Sequence, residues 1–139
     1  MYLASLYNKM IENSIEQLKI FIPKLTSNNY PRTKQNQLGN SWRKRNQIDG
    51  LIDFRMTSES ICNLVRGLSK PYFGAHCIYK NKEIKVWEIE LSTSDLNNFE
   101  PGKVLDVVDD NIKVKTSNGS VILINHNFET IPSVGKYIK

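Results

Sequence analysis

The sequence predicts an α+β fold in which two helices precede a series of short strands. Apolar residues recur at helical spacing in two separate segments before residue 70, and the period changes to two from Tyr72 onward. After that point the sequence has no helical segment long enough for a parallel crossover. The strands are therefore expected to pair in antiparallel fashion.

An apolar stripe near the N-terminus predicts the first helix. The stripe follows three- and four-residue steps and ends near Pro23. Because so long an apolar face has to be buried, it predicts self-association or a partner protein. The residues of the stripe are Leu3, Leu6, Tyr7, Met10, Ile11, Ile15, Leu18 and Ile22.

A polar connector separates this helix from the rest of the chain. Residues 26–47 are rich in Ser, Asn, Gln, Pro, Arg and Lys and contain almost no aliphatic residue. The expected organisation is a helix over residues 1–25, a linker over residues 26–54 and a strand-rich domain over residues 55–139.

The second helix is marked by signals at its two ends. Thr57 is a good N-cap, and Glu59 places a negative charge in the first turn, where the helix dipole favours it. Pro71 cannot continue the hydrogen-bonded ladder, so the helix should end by about residue 69. Its predicted apolar face consists of Ile61, Leu64, Val65 and Leu68.

At least five short strands are predicted after the second helix. Polar turns at residues 80–83, 109–111 and 117–119 separate segments in which apolar and polar residues alternate. A small barrel of the oligonucleotide/oligosaccharide-binding (OB) type would close the edges of such a sheet economically. The alternative is an open meander packed against the second helix.

Composition and charge favour an ordinary globular domain with a mild preference for anions. Of the 139 residues, 40% are hydrophobic and 24% charged, with 19 basic against 14 acidic side chains and a net charge of +5. No secretory signal pattern and no apolar stretch of about 18 residues is visible, so the cytoplasm is the expected location.

Cysteine and histidine do not have the spacing of a metal site. Cys62 and Cys77 are isolated, as are His76 and His126, whereas a zinc site needs about four ligands in paired clusters. We expect the cysteines to be reduced packing residues, His76 a strand residue and His126 a turn or surface residue.

The segment Ser-Trp-Arg-Lys-Arg-Asn-Gln-Ile-Asp-Gly-Leu-Ile-Asp-Phe at residues 41–54 resembles the linker between the catalytic and C-terminal domains of formyltransferases. Residues 61–68 resemble the helix that follows, and Pro-Tyr-Phe-Gly-Ala at residues 71–75 resembles the entry into the first strand. The resemblance covers about residues 35–139 and extends to the methionyl-tRNA and sugar N-formyltransferases. The helix at residues 3–25 also resembles the last helix of the catalytic domain.

This resemblance implies a C-terminal OB-like domain that positions substrate or forms a subunit interface. The complete enzymes transfer a formyl group from 10-formyltetrahydrofolate to an amine, using Asn, His and Asp of an N-terminal domain. No Asn-x-His-Pro-Ser segment occurs here, and Asn125-His126-Asn127-Phe128 is only a partial likeness. We therefore expect no catalytic residue and no cofactor bound by this chain alone.

The expected partners are a catalytic domain or subunit and a nucleotide-sugar or tRNA substrate, with the amino sugar slightly preferred and a homodimer as a further option.

The candidate substrate-binding residues lie mainly in the linker and are Trp42, Arg43, Lys44, Arg45, Asp49 and Arg66. Arg43, Lys44 and Arg45 next to Trp42 suit phosphate contacts with a ring for stacking, although a solvated loop explains them equally well. Arg66 is expected to pair with Asp49 or Asp53, or else to contact a substrate phosphate.

The turn at Asp49-Gly50 is expected to use glycine for its positive φ. Ile52 and Phe54 should then anchor the next segment while Asp53 faces away. If the chain is not part of a formyltransferase, the alternative function is a stand-alone OB-like nucleic-acid-binding module.

Overall fold

The computed structural model describes residues 2–93 and 98–139, and in this part of the chain two α-helices precede a five-stranded sheet. Between the helices, a 3₁₀-turn spans Gln47–Gly50. The helices are α1 (Leu3–Thr26) and α2 (Ser58–Gly67). The strands are β1 (Ala75–Tyr79), β2 (Lys82–Ser92), β3 (Val104–Val108), β4 (Asn111–Lys115) and β5 (Ser120–His126).

Helix α1 runs past Pro23, near which the sequence predicted its end, as far as Thr26. The Thr26 hydroxyl closes the last turn by donating to the carbonyls of Ile22 and Pro23, at 3.1 and 3.0 Å. None of its residues is buried, and the apolar stripe remains exposed from Leu6 onward. No helix in the described part of the chain is long and apolar enough to cross a membrane.

Helix α2 begins and packs as the sequence predicted. The hydroxyl of Thr57 accepts a hydrogen bond from the Ser60 amide at 3.2 Å, which is the N-cap interaction. Ile61 and Val65 are fully buried, and Leu64 and Leu68 pack against the same core. The helix lies against β2 and β5.

The strands form one antiparallel sheet in the order β1-β2-β5-β4-β3, which confirms the predicted α+β class. Lys80 and Asn81, both with positive φ, make the two-residue turn between β1 and β2. The register between β2 and β5 shifts around Trp87, because Val86 faces His126 while Glu88 faces Asn125.

The C-terminal segment, residues 135–139, covers both edges of the sheet. At the β3 edge the Val104 amide donates to the carbonyl of Lys136 at 2.8 Å, and the Ile138 amide donates to the carbonyl of Gly102 at 2.9 Å. At the β1 edge the amides of Lys139 and Ile78 each donate to the other residue's carbonyl. The segment thereby bridges the β1 and β3 edges of an open five-stranded sheet and supplies partners to some of their backbone groups.

A polar network ties the start of α2 to the turn between β4 and β5. The Ser58 and Thr116 hydroxyls are 2.7 Å apart and both are buried, while the Ser58 amide donates to Asn118 Oδ1 at 2.9 Å. The buried Lys115 ammonium donates to the carbonyls of Thr116 and Gly119 at 2.9 and 3.2 Å. These contacts satisfy polar groups that would be costly to bury alone, and they fix the helix on the sheet.

Candidate functional site

The polar linker is folded back on itself just before it reaches the domain. The side chain of Asn46 accepts from the Ile48 amide at 3.1 Å, and the Asp49 carboxylate accepts from the Asn46 amide at 2.8 Å. These two reciprocal bonds form a capping box around the 3₁₀-turn. The residues just upstream of the turn therefore have a defined exit direction.

Arg43 is bound by Asp49 in a two-pronged ion pair. Arg43 Nη1 lies 2.8 Å from Asp49 Oδ2, and Nη2 contacts Oδ1. The Arg43 guanidinium, and next the Asn46 amide, hold the pKa of the Asp49 carboxyl well below its usual value. Arg43 thus has a structural role in organising the linker, because a bidentate pair fixes its orientation.

Lys44, Arg45 and Trp42 are the members of the predicted cluster that face solvent. Lys44 and Arg45 are exposed and make no hydrogen bond or ion pair with side chains of the described residues. Trp42 is 84% exposed. These side chains lie in the same stretch of the linker as the Arg43–Asp49 pair, and their contact with a substrate stays a prediction.

Gly50 has a different purpose from the one predicted. Its φ is not positive, so the expectation of a left-handed turn residue is wrong. A Cβ on Gly50 would lie 3.1 Å from the Gly74 carbonyl oxygen and 3.2 Å from Leu68 Cδ1. The linker therefore approaches the domain so closely at Gly50 that a larger side chain would need its neighbours to shift.

The segment after Gly50 anchors the linker as expected. The Ile52 amide donates to the carbonyl of His76 at 2.7 Å, and Leu51 forms an isolated parallel bridge with the same residue. Ile52 and Phe54 are buried, at 0% and 4% exposure, which confirms their predicted anchoring role.

Arg66 does not make the pairing that we predicted from the sequence. Asp49 is taken by Arg43, and Asp53 is held by Arg55, with contacts of 2.7 to 3.1 Å. Arg66 instead donates to Asn63 one turn earlier on α2. The prediction of an Arg66 pair with either aspartate is wrong because each acid has a closer basic neighbour in the chain.

A second anchor, missed by sequence reasoning, joins the linker to the β1–β2 hairpin. Gln47 Nε2 donates to both carboxylate oxygens of Glu83, at 2.9 and 2.8 Å, and Lys85 Nζ lies 2.8 Å from Glu83 Oε1. The buried His76 ring, a strand residue as predicted, lies 3.9 Å from the same carboxylate. No local sequence signal identifies this cluster, because Gln47 and Glu83 are 36 positions apart.

The pKa of His76 is lowered from 6.5, chiefly because burial disfavours the charged ring, and the Glu83 carboxylate only partly opposes this effect. Its Nδ1 has no hydrogen-bond partner among the described residues. His76 is thus neutral at physiological pH and fills the space under the linker.

The described residues do not form an acid–base pair suited to formyl transfer. His76 is buried beside Glu83, and His126, the last residue of β5, bonds through Nε2 to the carbonyl of Asp110 at 2.8 Å. The two histidines therefore lie in separate structural contacts. Cys62 and Cys77 are buried and unpaired, and burial raises the pKa of Cys77 to about 12. No group of three potential metal ligands occurs in the described ranges.

The fold and the linker together define the class of the protein: a small α+β domain with a bridged antiparallel sheet, preceded by a docked basic linker. Comparison with known families makes the assignment specific. The family described as "Formyl transferase, C-terminal domain" matches residues 44–132. The chain belongs to this family, which confirms the resemblance seen in the sequence.

Similar proteins include two enzymes that are much longer than this chain. The methionyl-tRNA formyltransferase of Clostridioides difficile (strain 630) is 33% identical, over 98% of this chain and 44% of the relative. The bifunctional polymyxin resistance protein ArnA of Wigglesworthia glossinidia brevipalpis is 30% identical, over 73% of this chain and 15% of the relative. The chain thus spans less than half the length of these curated relatives.

Among solved structures, HypX from Aquifex aeolicus has the same fold. A variant of it superposes with a TM-score of 0.67 at 20% sequence identity. The match covers 93% of this chain and 23% of HypX. At this identity the likeness concerns the fold alone.

Replacing Asp49 should loosen the linker. Asp49→Asn removes the ion pair to Arg43 and weakens the capping box, so trypsin should cleave after Lys44 and Arg45 about three- to tenfold faster, as measured by mass spectrometry of timed digests. The matched control is Asp53→Asn, which also breaks an Asp–Arg pair but leaves the capping box intact. Equal cleavage rates for Asp49→Asn and the parent protein would contradict this role of Asp49.

The buried His76 should make the protein less stable in mild acid. Because its folded pKa lies below the ordinary value of 6.5, the unfolded chain takes up a proton that the folded chain does not. The free energy of unfolding, measured by urea titrations, should stay constant above about pH 7 and decrease as the pH falls below about 6.5. His76→Gln should flatten this decline. If the variant keeps the full decline, another group is responsible.

Proposed function

We propose that this chain is the C-terminal part of a 10-formyltetrahydrofolate-dependent formyltransferase, in which it positions the acceptor amine or forms a subunit interface. The observation that carries the proposal is the uncovered apolar face of α1. This helix lies within the region that aligns, over 98% of the chain, with a longer methionyl-tRNA formyltransferase. We infer that the face packs against a formyltransferase catalytic domain.

The physical case for a partner rests on the isolation of α1. Its apolar side chains remain about half exposed, from Leu6 at 43% to Ile20 at 63%. Tyr2, the residue before the helix, accepts a hydrogen bond from the Ile89 amide at 3.4 Å. Because an isolated helix gains little stability from its backbone alone, α1 needs an apolar surface to pack on.

Catalysis is assigned to the partner domain. The histidines of this chain are committed to structural contacts, and acylation of an amine needs a base and hydrogen-bond donors for the oxyanion. The proposal therefore places no catalytic residue here and assigns folate binding to the complete enzyme. It includes the cytoplasmic location that the sequence led us to expect.

For the acceptor we now favour methionyl-tRNA over the nucleotide-linked amino sugar preferred from the sequence. The relative that aligns along almost the whole chain is named a methionyl-tRNA formyltransferase, whereas the match to ArnA covers less of the chain. The exposed Lys44, Arg45 and Trp42 suit contacts to phosphates and a stacked base.

Reconstitution tests the proposed interface. The chain alone should transfer no formyl group, and adding the catalytic domain of the Clostridioides difficile relative should give a complex and activity on methionyl-tRNA. Ile11→Glu with Leu18→Glu places two charges on the apolar face and should weaken the complex about a hundredfold by sedimentation analysis.

Lys9→Glu, on the opposite side of α1, is the matched control and should leave the complex intact. The proposal would be contradicted if the chain were a monodisperse monomer that does not bind the catalytic domain. Turnover by the chain in the absence of any catalytic domain would contradict it as well. Self-association through the same face would show a homodimer in place of the proposed partner.

A stand-alone nucleic-acid-binding module is the second candidate function. The specific observation in its favour is Trp42, which is 84% exposed beside Lys44 and Arg45 on a linker held by the domain. This arrangement places an aromatic ring and two cations where a single-stranded loop of RNA could reach them.

A tRNA titration at increasing salt concentration tests the linker contacts. Affinity of the chain for tRNA should fall with salt, and Lys44→Ala with Arg45→Ala should reduce the slope by about two, because each phosphate contact contributes roughly one. Lys9→Ala with Lys19→Ala removes the same charge from α1 and should leave the slope unchanged. Absent or salt-insensitive binding would exclude the nucleic-acid module and the tRNA contact together.

A further inference from the structure

We propose that a groove beside Trp87 binds a nucleotide unit, with the base stacked on the indole and the phosphate paired with Lys70. The groove lies between the start of α1 and the outer face of β2 and β5, and its volume is about 550 Å³. This size is typical of small-molecule sites. Its lining includes Tyr2, Lys70, Trp87, Glu88, Asn125 and Asn127.

Trp87 is fixed at both ends of its ring system. A Cβ on Gly74 would lie 2.7 Å from Trp87 Cζ3, so the benzene end of the indole packs directly on a glycine, which has a φ of +77°. At the other end, Nε1 donates to Asn127 Oδ1 at 3.2 Å. A ring held in this way loses little conformational entropy when a ligand stacks on it.

Trp87 is directed outward by the alternation of β2, in which Ile84 and Val86 are buried. The register between β2 and β5 shifts between Val86 and Glu88, so Trp87 falls at the bulge. The irregularity leaves Glu88 exposed as well and returns Ile89 to the core, so two successive residues of β2 lie outside the core. The indole therefore lines a surface cavity instead of joining the core.

Lys70 supplies the charge that an anionic group needs. Its ammonium lies 5.4 Å from the centre of the Trp87 ring, and within the described ranges it forms no ion pair. Lysine has a flexible stem and binds phosphate as a point charge. A base that replaces the ammonium over the indole would leave Lys70 within reach of the attached phosphate.

The remaining polar groups can hydrogen-bond a base and a ribose. Asn125 and Glu88 face each other across the β2–β5 pair and both are exposed. A carboxamide offers a donor and an acceptor to a base edge, and a carboxylate accepts from sugar hydroxyls. An aromatic face, one cation and these groups together fit a nucleotide better than an apolar ligand, which would leave the polar groups unpaired.

A free mononucleotide and the end of an RNA strand share this chemistry. The groove is lined by residues other than Lys44, Arg45 and Trp42, so the inference does not depend on the proposed contacts of the linker. The nucleotide groove and the linker contacts can therefore be disproved independently.

Fluorescence of Trp87 tests the groove in the full chain. In a Trp42→Phe background the signal comes from Trp87 alone, and AMP, UMP, ribose 5-phosphate and a four-residue single-stranded RNA are titrated separately. We expect saturable quenching by the nucleotides and affinity at least about tenfold weaker for ribose 5-phosphate, which lacks the base. Tighter binding of the RNA would identify an RNA end as the ligand, and equal or tighter binding of AMP or UMP would identify a free nucleotide.

Two exposed residues provide variants that leave the core untouched. Lys70→Ala and Asn125→Ala should each weaken nucleotide binding, with about a tenfold loss for Lys70→Ala. Lys103→Ala is the matched control, because Lys103 also lies over an aromatic ring, that of Phe99 at 4.0 Å, but outside the groove. No saturable quenching, equal binding of ribose 5-phosphate, or an equal loss in Lys103→Ala would overturn the proposal.

Discussion

The fold depends on the backbone hydrogen bonds by which the C-terminal segment joins the two edges of the sheet. Without residues 135–139, β1 and β3 would each present unpaired amides and carbonyls. The segment approaches so closely that position 102 has to be glycine, because a Cβ on Gly102 would lie 2.4 Å from the Ile138 carbonyl oxygen. Phe54 packs beside this contact, so the segment that bridges the sheet also borders the place where the linker enters the core.

The position of the candidate site follows from that arrangement. Ile52 and Phe54 insert next to the bridged edge, which brings the 3₁₀-turn against the β1–β2 hairpin, where Gln47 meets Glu83. The Arg43–Asp49 pair then sets the direction of the chain upstream. The sequence of the linker is that of a flexible polar loop. In the structure, these contacts together restrict the backbone of the linker around Lys44 and Arg45.

Features encoded by neighbouring residues could be predicted from the sequence, and features encoded by distant residues could not. The Thr57 cap, the strand periodicity and the turn residues act within a few positions, and the predictions based on them were confirmed. The prediction of a positive φ for Gly50 was wrong because the close contacts at this position come from Gly74 and Leu68, which lie elsewhere in the chain. The predicted pairing of Arg66 with Asp49 or Asp53 was wrong because basic residues nearer in the chain bind both aspartates.

The folding of the domain depends on residues outside α1. The buried apolar cluster begins at Ile52, and α1 contributes no buried residue to it. Burial of apolar surface is the main source of folding free energy, so the domain draws almost none of it from α1. A substitution on the apolar face of α1 should therefore alter binding to a partner while leaving the unfolding of the domain nearly unchanged.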